Sequence, residues 1–330
     1  MKAVRASALG PPETYRIEEL ASRAPGPAEA RIAIHFAGVS FVDVLTAAGG
    51  YQVKPPTPFI PGSELAGIVL EVGAEVEGLT PGDRVAAGCF GGVFAEEIVL
   101  PAATATRLPD AMGLAEGAVS RSSYMTACYA LTRVAKVRPG ETVLVLGAAG
   151  AVGAASVHLA RHYGAVPIAS ASSEEKRRLA LSCGAEIAID SNAADWRDQV
   201  KSATDGKGVD VVVDPLGGPH TERAFRSLAW KGRHLVIGFS AGEIPRLPVN
   251  LALLKGAALM GVDLRQFGVR EPIAMREVVE EVTQLAAAGV VRPPIARIFP
   301  LDEYLEAMRL AASGTAAGRV LLKMPAADGA

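Results

Sequence analysis

Gly147-Ala148-Ala149-Gly150-Ala151-Val152-Gly153 follows the continuous apolar run Thr142-Val143-Leu144-Val145-Leu146 and opens a helical pattern. Glycines at 147 and 150 let the backbone turn tightly and approach an anion, and Gly153 permits close packing of helix on strand. The helix start, with Ala149, Ala151 and Val152 in the turn, then directs backbone N–H groups at a phosphate. In the strict G-x-G-x-x-G pattern the first glycine is Ala148 here. The flanking strand and helix therefore carry the reading of a dinucleotide-binding turn against that of a ligand-free tight turn.

A site for NAD usually has Asp or Glu at the end of the next strand to hold the ribose hydroxyls. Here that strand ends Ala169-Ser170-Ala171-Ser172-Ser173, without an acid, and Lys176-Arg177-Arg178 follows. Hydroxyls of Ser170, Ser172 and Ser173 with the charges of Lys176 and Arg177 suit a 2′-phosphate, which a carboxylate would repel. NADPH is the expected cofactor, and Arg178 is expected on a solvated helix face. Phe239 and Ser240 end another strand, at the sheet edge where ligands bind in open α/β folds.

Metal chemistry has little to stand on. His158 and His162 are spaced i, i+4 on a helical pattern but lack a glutamate context and a third ligand, so they read as surface or packing residues. His35, His220 and His234 show no pairing pattern. Cys89, Cys128 and Cys183 are far apart, which argues against a disulfide scaffold and for a reducing compartment. No signal-peptide run and no stretch of about 18 apolar residues occurs. A cytoplasmic, soluble protein without a membrane partner is expected.

The elements that must position these residues change in rhythm near residue 120. Before it, period-two segments at 31–36, 65–72, 83–87 and 93–100 alternate with turn signals, as in a small antiparallel β-barrel or sandwich. Residues 124–264 alternate apolar strands with helices at 152–163 and 174–182, the pattern of a doubly wound α/β domain. Ser172 and Glu175 could form a capping box. The tail reads as a helix at 276–288, a strand at 295–299, a helix at 301–313 and a closing strand at 318–322. It is expected to rejoin the first domain, giving a discontinuous domain of 1–123 with 265–330 around a nucleotide domain of 124–264.

Composition agrees. At 330 residues the chain is long enough for two cores, and 50% hydrophobic content excludes wholesale disorder. A net charge of −2 and 5% aromatic content leave neither a basic track nor stacking platforms for nucleic acid.

A series of motifs resembles one family almost end to end: Gly38-Val39-Ser40-Phe41-Val42-Asp43, Gly50-Tyr51, Pro58-Phe59-Ile60-Pro61-Gly62-Ser63-Glu64-Leu65-Ala66-Gly67, Thr126-Ala127, the glycine turn, Asp214-Pro215-Leu216-Gly217-Gly218, Gly232-Arg233, Gly238-Phe239-Ser240 and Gly318-Arg319-Val320. In order and spacing they resemble the zinc-independent quinone oxidoreductases of the medium-chain dehydrogenase/reductase superfamily. The resemblance implies a GroES-like catalytic domain, a Rossmann domain, an active site in the cleft between them, and a homodimer or tetramer joined partly through residues 257–262. It also implies cofactor contacts at Gly217, Gly238, Phe239 and Ser240. Zinc-dependent relatives carry Gly-His-Glu where this chain has Gly62-Ser63-Glu64, and a four-cysteine lobe where Cys89 stands alone. Serine is a poor zinc ligand, so chemistry without zinc is expected.

Within that resemblance Tyr51 matches a tyrosine lining the family's cleft, which makes it the first candidate proton or hydrogen-bond donor; packing beneath the loop at 55–58 is its other reading. Ser40 stands where asparagine is usual and can still donate, whereas Asp43 is expected to hold the loop. Thr126 is placed toward the nicotinamide, and Arg319, replacing a frequent lysine, toward the cofactor phosphates. The activity implied is hydride transfer from NADPH to a quinone or α,β-unsaturated carbonyl. The same scaffold also supports an enoyl- or acryloyl-thioester reductase, with Arg265, Arg270 and Arg276 as candidates for a CoA phosphate. A third reading is a nucleotide-binding structural or regulatory protein that has lost catalysis.

Overall fold

The computed structural model describes residues 1–325. The chain separates into two compact units, one of Met1–Ser122 with the segment from Arg292 onward, the other Ser123–Val291.

The first unit contains β1 (Lys2–Arg5), β2 (Arg16–Glu19), β3 (Glu29–Val39), helix α1 (Phe41–Ala47), β4 (Glu64–Val72), β5 (Arg84–Gly88), β6 (Glu97–Pro101), β7 (Ala105–Arg107) and the start of α2 (Leu114–Cys128). Alternating inward residues such as Ala30, Ile32 and Ile34 make β3 the spine of this unit. It pairs antiparallel with β4 along nearly its whole length and with β6 over Glu29–Ala33. Helix α1 begins where the Ser40 side chain accepts the Asp43 N–H and the Asp43 side chain accepts the Ser40 N–H, a reciprocal cap.

The second unit runs β8 (Thr142–Leu146), α3 (Ala151–His162), β9 (Val166–Ala171), α4 (Glu174–Ser182), β10 (Ile187–Asp190), α5 (Trp196–Ser202), β11 (Val209–Asp214), α6 (Pro219–Arg226), β12 (Leu228–Val236), α7 (Asn250–Lys255), β13 (Ala258–Gly261), α8 (Leu264–Arg270) and α9 (Pro272–Ala287). Its six strands form a parallel sheet in the order β10-β9-β8-β11-β12-β13. Val143, Leu144, Val145 and Leu146 are all buried, as a strand covered on both faces requires. Helix α4 starts one residue later than the expected cap: the Ser173 hydroxyl, not that of Ser172, accepts the Lys176 N–H.

The chain returns to the first unit later than residue 265. Helices α8 and α9 stay with the second unit, because Phe267 stacks on Tyr129 at 4.0 Å, Glu277 pairs with Arg133 at 3.1 Å and Glu281 accepts the Tyr163 hydroxyl at 2.7 Å. The returning segment holds β14 (Ile295–Pro300), α10 (Tyr304–Ser313) and β15 (Arg319–Lys323), and β15 pairs antiparallel with the far half of β3 through Val320↔Val39 and Lys323↔Phe36. This completes a seven-stranded sheet over a core of Ile32, Ile34, Leu65, Val85, Phe94 and Met308. No helix among the described residues is long and apolar enough to cross a membrane.

Candidate active site

In the second unit, β8 and β11 are the neighbours between which the strand order changes direction, and ligands bind beyond the carboxyl ends of such a pair. Gly147 leaves β8 with φ +57°, and a Cβ there would sit 2.9 Å from the Leu216 side chain that follows β11. A Cβ on Gly153 would lie 2.1 Å from the Gly147 carbonyl oxygen, so only glycine brings α3 this close to the strand. Gly150 caps α3 with no side-chain hydrogen bond, leaving the helix start to its backbone N–H groups. Ala149, Ala151 and Val152 lie within the same turn.

Asp214, at the end of β11, organises the facing loop. Its Oδ1 accepts the N–H groups of Leu216 at 3.0 Å and Gly217 at 2.8 Å, and its Oδ2 accepts the Thr221 hydroxyl at 2.7 Å and Nε2–H of His234 at 3.0 Å. Burial pushes the Asp214 pKa up, but the hydrogen bond and charge of His234, the Thr221 hydroxyl and the Gly217 N–H outweigh it and hold the carboxyl below its usual range. The loop after β12 is fastened to this one: Ser240 donates its N–H and hydroxyl to the Pro215 carbonyl, and Ala241 donates to that of Leu216. A Cβ on Gly217 would meet the Phe239 ring at 2.8 Å, and one on Gly238 the Pro215 carbonyl at 3.3 Å. Gly147, Gly150, Gly153, Gly217, Gly238, Phe239 and Ser240 are thus gathered at one end of one sheet.

The end of β9 departs from expectation in part. Ser170 is buried and its hydroxyl accepts the Trp196 indole N–H at 2.9 Å, so it is committed to the core rather than open to a phosphate. Ser172 and Ser173 are exposed, and Lys176 is half-buried, with burial pulling its ammonium pKa down and Glu175 opposing that. Arg177 pairs with Asp190 at 3.2 Å, while Arg178 pairs with Glu174 on the solvated face.

A second cluster lies in the first unit. Asp43, 5% exposed, accepts the N–H of Ser40 at 2.8 Å, the Ser40 hydroxyl at 2.6 Å and the Ser63 hydroxyl at 2.8 Å. The Cys89 N–H donates to the Ser63 carbonyl, and Tyr51 stacks on Phe90 with centroids 6.1 Å apart. Arg319 does not present itself to a phosphate. It is 5% exposed and donates to Glu64 Oε1 at 2.8 Å, while Glu64 Oε2 accepts the Ser122 N–H at 3.0 Å. Thr126 is buried in α2 and belongs to the second unit.

Residues 26–110 match the model of the alcohol dehydrogenase GroES-like domain and residues 151–287 that of the zinc-binding dehydrogenases. A quinone oxidoreductase-like protein 2 homolog from Nematostella vectensis is 35% identical over 97% of this chain and 88% of its own. The chain belongs to the zinc-independent quinone oxidoreductase family of the medium-chain dehydrogenases/reductases. Among solved structures, the Escherichia coli quinone oxidoreductase complexed with NADPH covers 98% of this chain and 100% of its own, with 27% identity and a TM-score of 0.88. The CurK enoyl reductase has the same identity and TM-score over 98% and 99% of the two chains. The two units are accordingly the GroES-like and Rossmann domains of a quinone oxidoreductase-family member.

Zinc does not fit this family member, whatever the name of the second family model. The position of the zinc-binding imidazole holds Ser63, whose hydroxyl is spent on Asp43. The Cys89 Sγ–H donates to the Gly91 carbonyl, and burial pushes its thiol up to about 12. Among the described residues no group of three or more His, Cys, Asp or Glu is placed to hold a metal. His158 is taken up by the Tyr124 ring, 5.9 Å between centroids, and not by a shared ligand with His162.

Sequence reasoning passed over His234 and Thr221. His234 and Asp214 are 20 positions apart, on adjacent parallel strands, and period-two patterning carries no information about register between strands. The one available signal was the Asp ending the Val211-Val212-Val213 run, immediately before Pro215-Leu216-Gly217-Gly218.

Proposed function

We propose that this oxidoreductase takes hydride from NADPH and delivers it to quinones or α,β-unsaturated carbonyls without a metal. The carrying observation is the end of β9: exposed Ser172 and Ser173 with Lys176 beside them and no carboxylate on that strand, next to the turn from Gly147 to Gly153. When bound, NADPH supplies the hydride. The α3 start and its glycine turn hold the pyrophosphate, and the hydroxyls of Ser172 and Ser173 with the charges of Lys176 and Arg177 take the 2′-phosphate, for which Arg177 shares or leaves Asp190. The loops of Gly217 and of Gly238 to Ser240 line the nicotinamide side, with Thr126 contributing from α2.

A conjugated acceptor spreads the arriving negative charge onto its oxygen, so a hydrogen-bond donor can replace the Lewis acid that a plain ketone would require. Tyr51 and Ser40 are the donors in this reading. The test is NADPH oxidation by the purified protein against a panel of quinones and enones, with NADH alongside. Turnover with at least one class and about tenfold or greater preference for NADPH, roughly 1.4 kcal/mol, is expected. The double variant Lys176→Ala, Arg177→Ala should erase that preference while leaving NADH kinetics in place. Tight NADPH binding with no turnover on any acceptor would instead favour the noncatalytic nucleotide-binding reading.

The similarity to the CurK enoyl reductase, together with exposed Arg265, Arg270 and Arg276 on α8 and α9, keeps a thioester reductase as the second reading. A large kcat/KM advantage of a CoA thioester over its simple ester would select it. A homodimer, or a tetramer, is proposed through the open edge strand β13, where Leu259 is exposed, with Leu253, Leu254 and Trp230 exposed on the preceding elements α7 and β12. Sedimentation at the monomer mass at micromolar concentration would dismiss that assembly.

A further inference from the structure

Three acidic side chains lie almost wholly buried at the two clusters described above, and they differ in one respect. Glu64 accepts from the Arg319 guanidinium and Asp214 from the His234 imidazole N–H, whereas among the described residues Asp43 is met by hydroxyls and a backbone N–H. Its two oxygens are each met by a serine: Ser40 on Oδ2 at 2.6 Å and Ser63 on Oδ1 at 2.8 Å. Both serines are half-buried while the carboxyl between them is sealed, so the three groups form a short chain with two accessible ends.

We infer that Ser63, Asp43 and Ser40 form a proton relay, with Asp43 holding the proton that the reduced substrate takes up through Ser40. The inference rests on the proposed reading of Ser40 as a donor to the substrate. When Asp43 is protonated on Oδ2 its O–H donates to Ser40 Oγ, and the Ser40 hydroxyl hydrogen turns outward; when it is ionised both serines donate inward. Hydride from NADPH, which would be left as NADP+, forms the new C–H bond at the β-carbon as the C=C π bond opens, leaving an enolate. The enolate takes the Ser40 proton as Ser40 Oγ takes that of Asp43, and Asp43 is left as the carboxylate. It is reloaded from water through Ser63, which delivers to Oδ1; rotation of the neutral carboxyl about Cβ–Cγ brings that O–H to the Ser40 side, and with each serine gaining and losing one proton no further reactant is needed.

The electrostatic surroundings favour storage. Burial raises the Asp43 pKa, and Glu64 at the start of β4 raises it further, against the hydrogen bonds from the two serines. Cys89 beyond β5 faces it as a neutral thiol, while Arg319 of β15 is paired with Glu64 and the charge of Arg121 in α2 is likewise set against Glu64.

Asp43→Asn keeps the shape and hydrogen-bonding capacity but cannot deliver a proton. Infrared difference spectra of the wild-type protein at neutral pH should show the C=O stretch of a buried protonated carboxyl that Asp43→Asn lacks, and the wild-type band should vanish as pH rises. With an acceptor that the wild type turns over, kcat should fall roughly 10²- to 10⁴-fold in the variant while the NADPH Kd stays within about twofold. Absence of the wild-type band, or an unchanged kcat in Asp43→Asn, overturns the relay. If no acceptor is turned over at all, the proposed function fails, and the infrared band alone still decides whether Asp43 stores a proton. Should Asp43→Asn not fold, Ser63→Ala leaves the α1 cap in place and removes one donor to the ionised form. Its band should then persist to higher pH; a band lost at the same or lower pH overturns the relay.

Discussion

Replacing Arg319 with methionine is expected to lower the free energy of unfolding by about 3–5 kcal/mol while leaving NADPH affinity unchanged. The ion pair it removes is sealed, with side-chain exposures of 5% for Arg319 and 7% for Glu64, and the carboxylate left behind would lose its one hydrogen-bonded cation, keeping the Ser122 N–H and the more distant charge of Arg121. Space offers no escape: a Cβ on Gly38 would already sit 3.2 Å from the Arg319 guanidinium and 3.0 Å from Val119. Glu64→Gln with Arg319→Met removes both charges and should recover most of the loss, because replacing a whole buried pair is far milder than orphaning one member. Urea unfolding of the two single variants and the double variant measures the three numbers. A loss below about 1 kcal/mol in Arg319→Met, together with tenfold weaker NADPH binding, would restore the phosphate-binding role that position suggests in the sequence.

Asp214→Ala should be comparably severe, about 3–5 kcal/mol, and should also weaken NADPH binding. It would strand His234, the Thr221 hydroxyl and the N–H groups of Leu216 and Gly217 in the interior at once. Release of the last two lets the Gly217 loop drift from the glycine turn. The pH dependence follows from the direction of the shift. A carboxyl held below its unfolded value contributes stability that is fully present above the unfolded pKa and is lost as pH falls through the lower folded pKa. The gap between wild type and Asp214→Ala should therefore be widest near neutrality and close in strong acid. Thermal melts of both proteins across that range test it; a gap that widens on acidification would contradict the role given to Asp214.

What could be read in the residues and what could not divides along a physical line. The apolar run ending at Leu146, the turn after it and the tail helices stood out because burial imposes an unbroken apolar run on a two-sided strand and a 3.6 period on a helix, each within a single segment. Cofactor-side glycines were legible for the same local reason, since a missing Cβ matters within the turn itself. Ser170 and Arg319 were misjudged because their partners Trp196 and Glu64 come from other strands and helices. A polar side chain near a site reads as available until the register of its neighbours is known. The later domain boundary has a like cause: α8 and α9 are held by Tyr129, Arg133 and Tyr163, none of them adjacent in sequence.

The pairing of β15 with β3 sets an order on how the molecule is made. Glu64 and Arg319 lie 255 positions apart, and the whole of the parallel sheet is translated between them. The nucleotide domain is continuous and can close on itself as it leaves the ribosome, since nascent domains fold as units. The catalytic domain must wait. Until β15 emerges, the far half of β3 offers unpaired backbone on that side, and Glu64 lacks the guanidinium that donates to its Oε1. The last strand is thus also the step that completes the buried ion pair, and a chain lacking it keeps an open edge on β3.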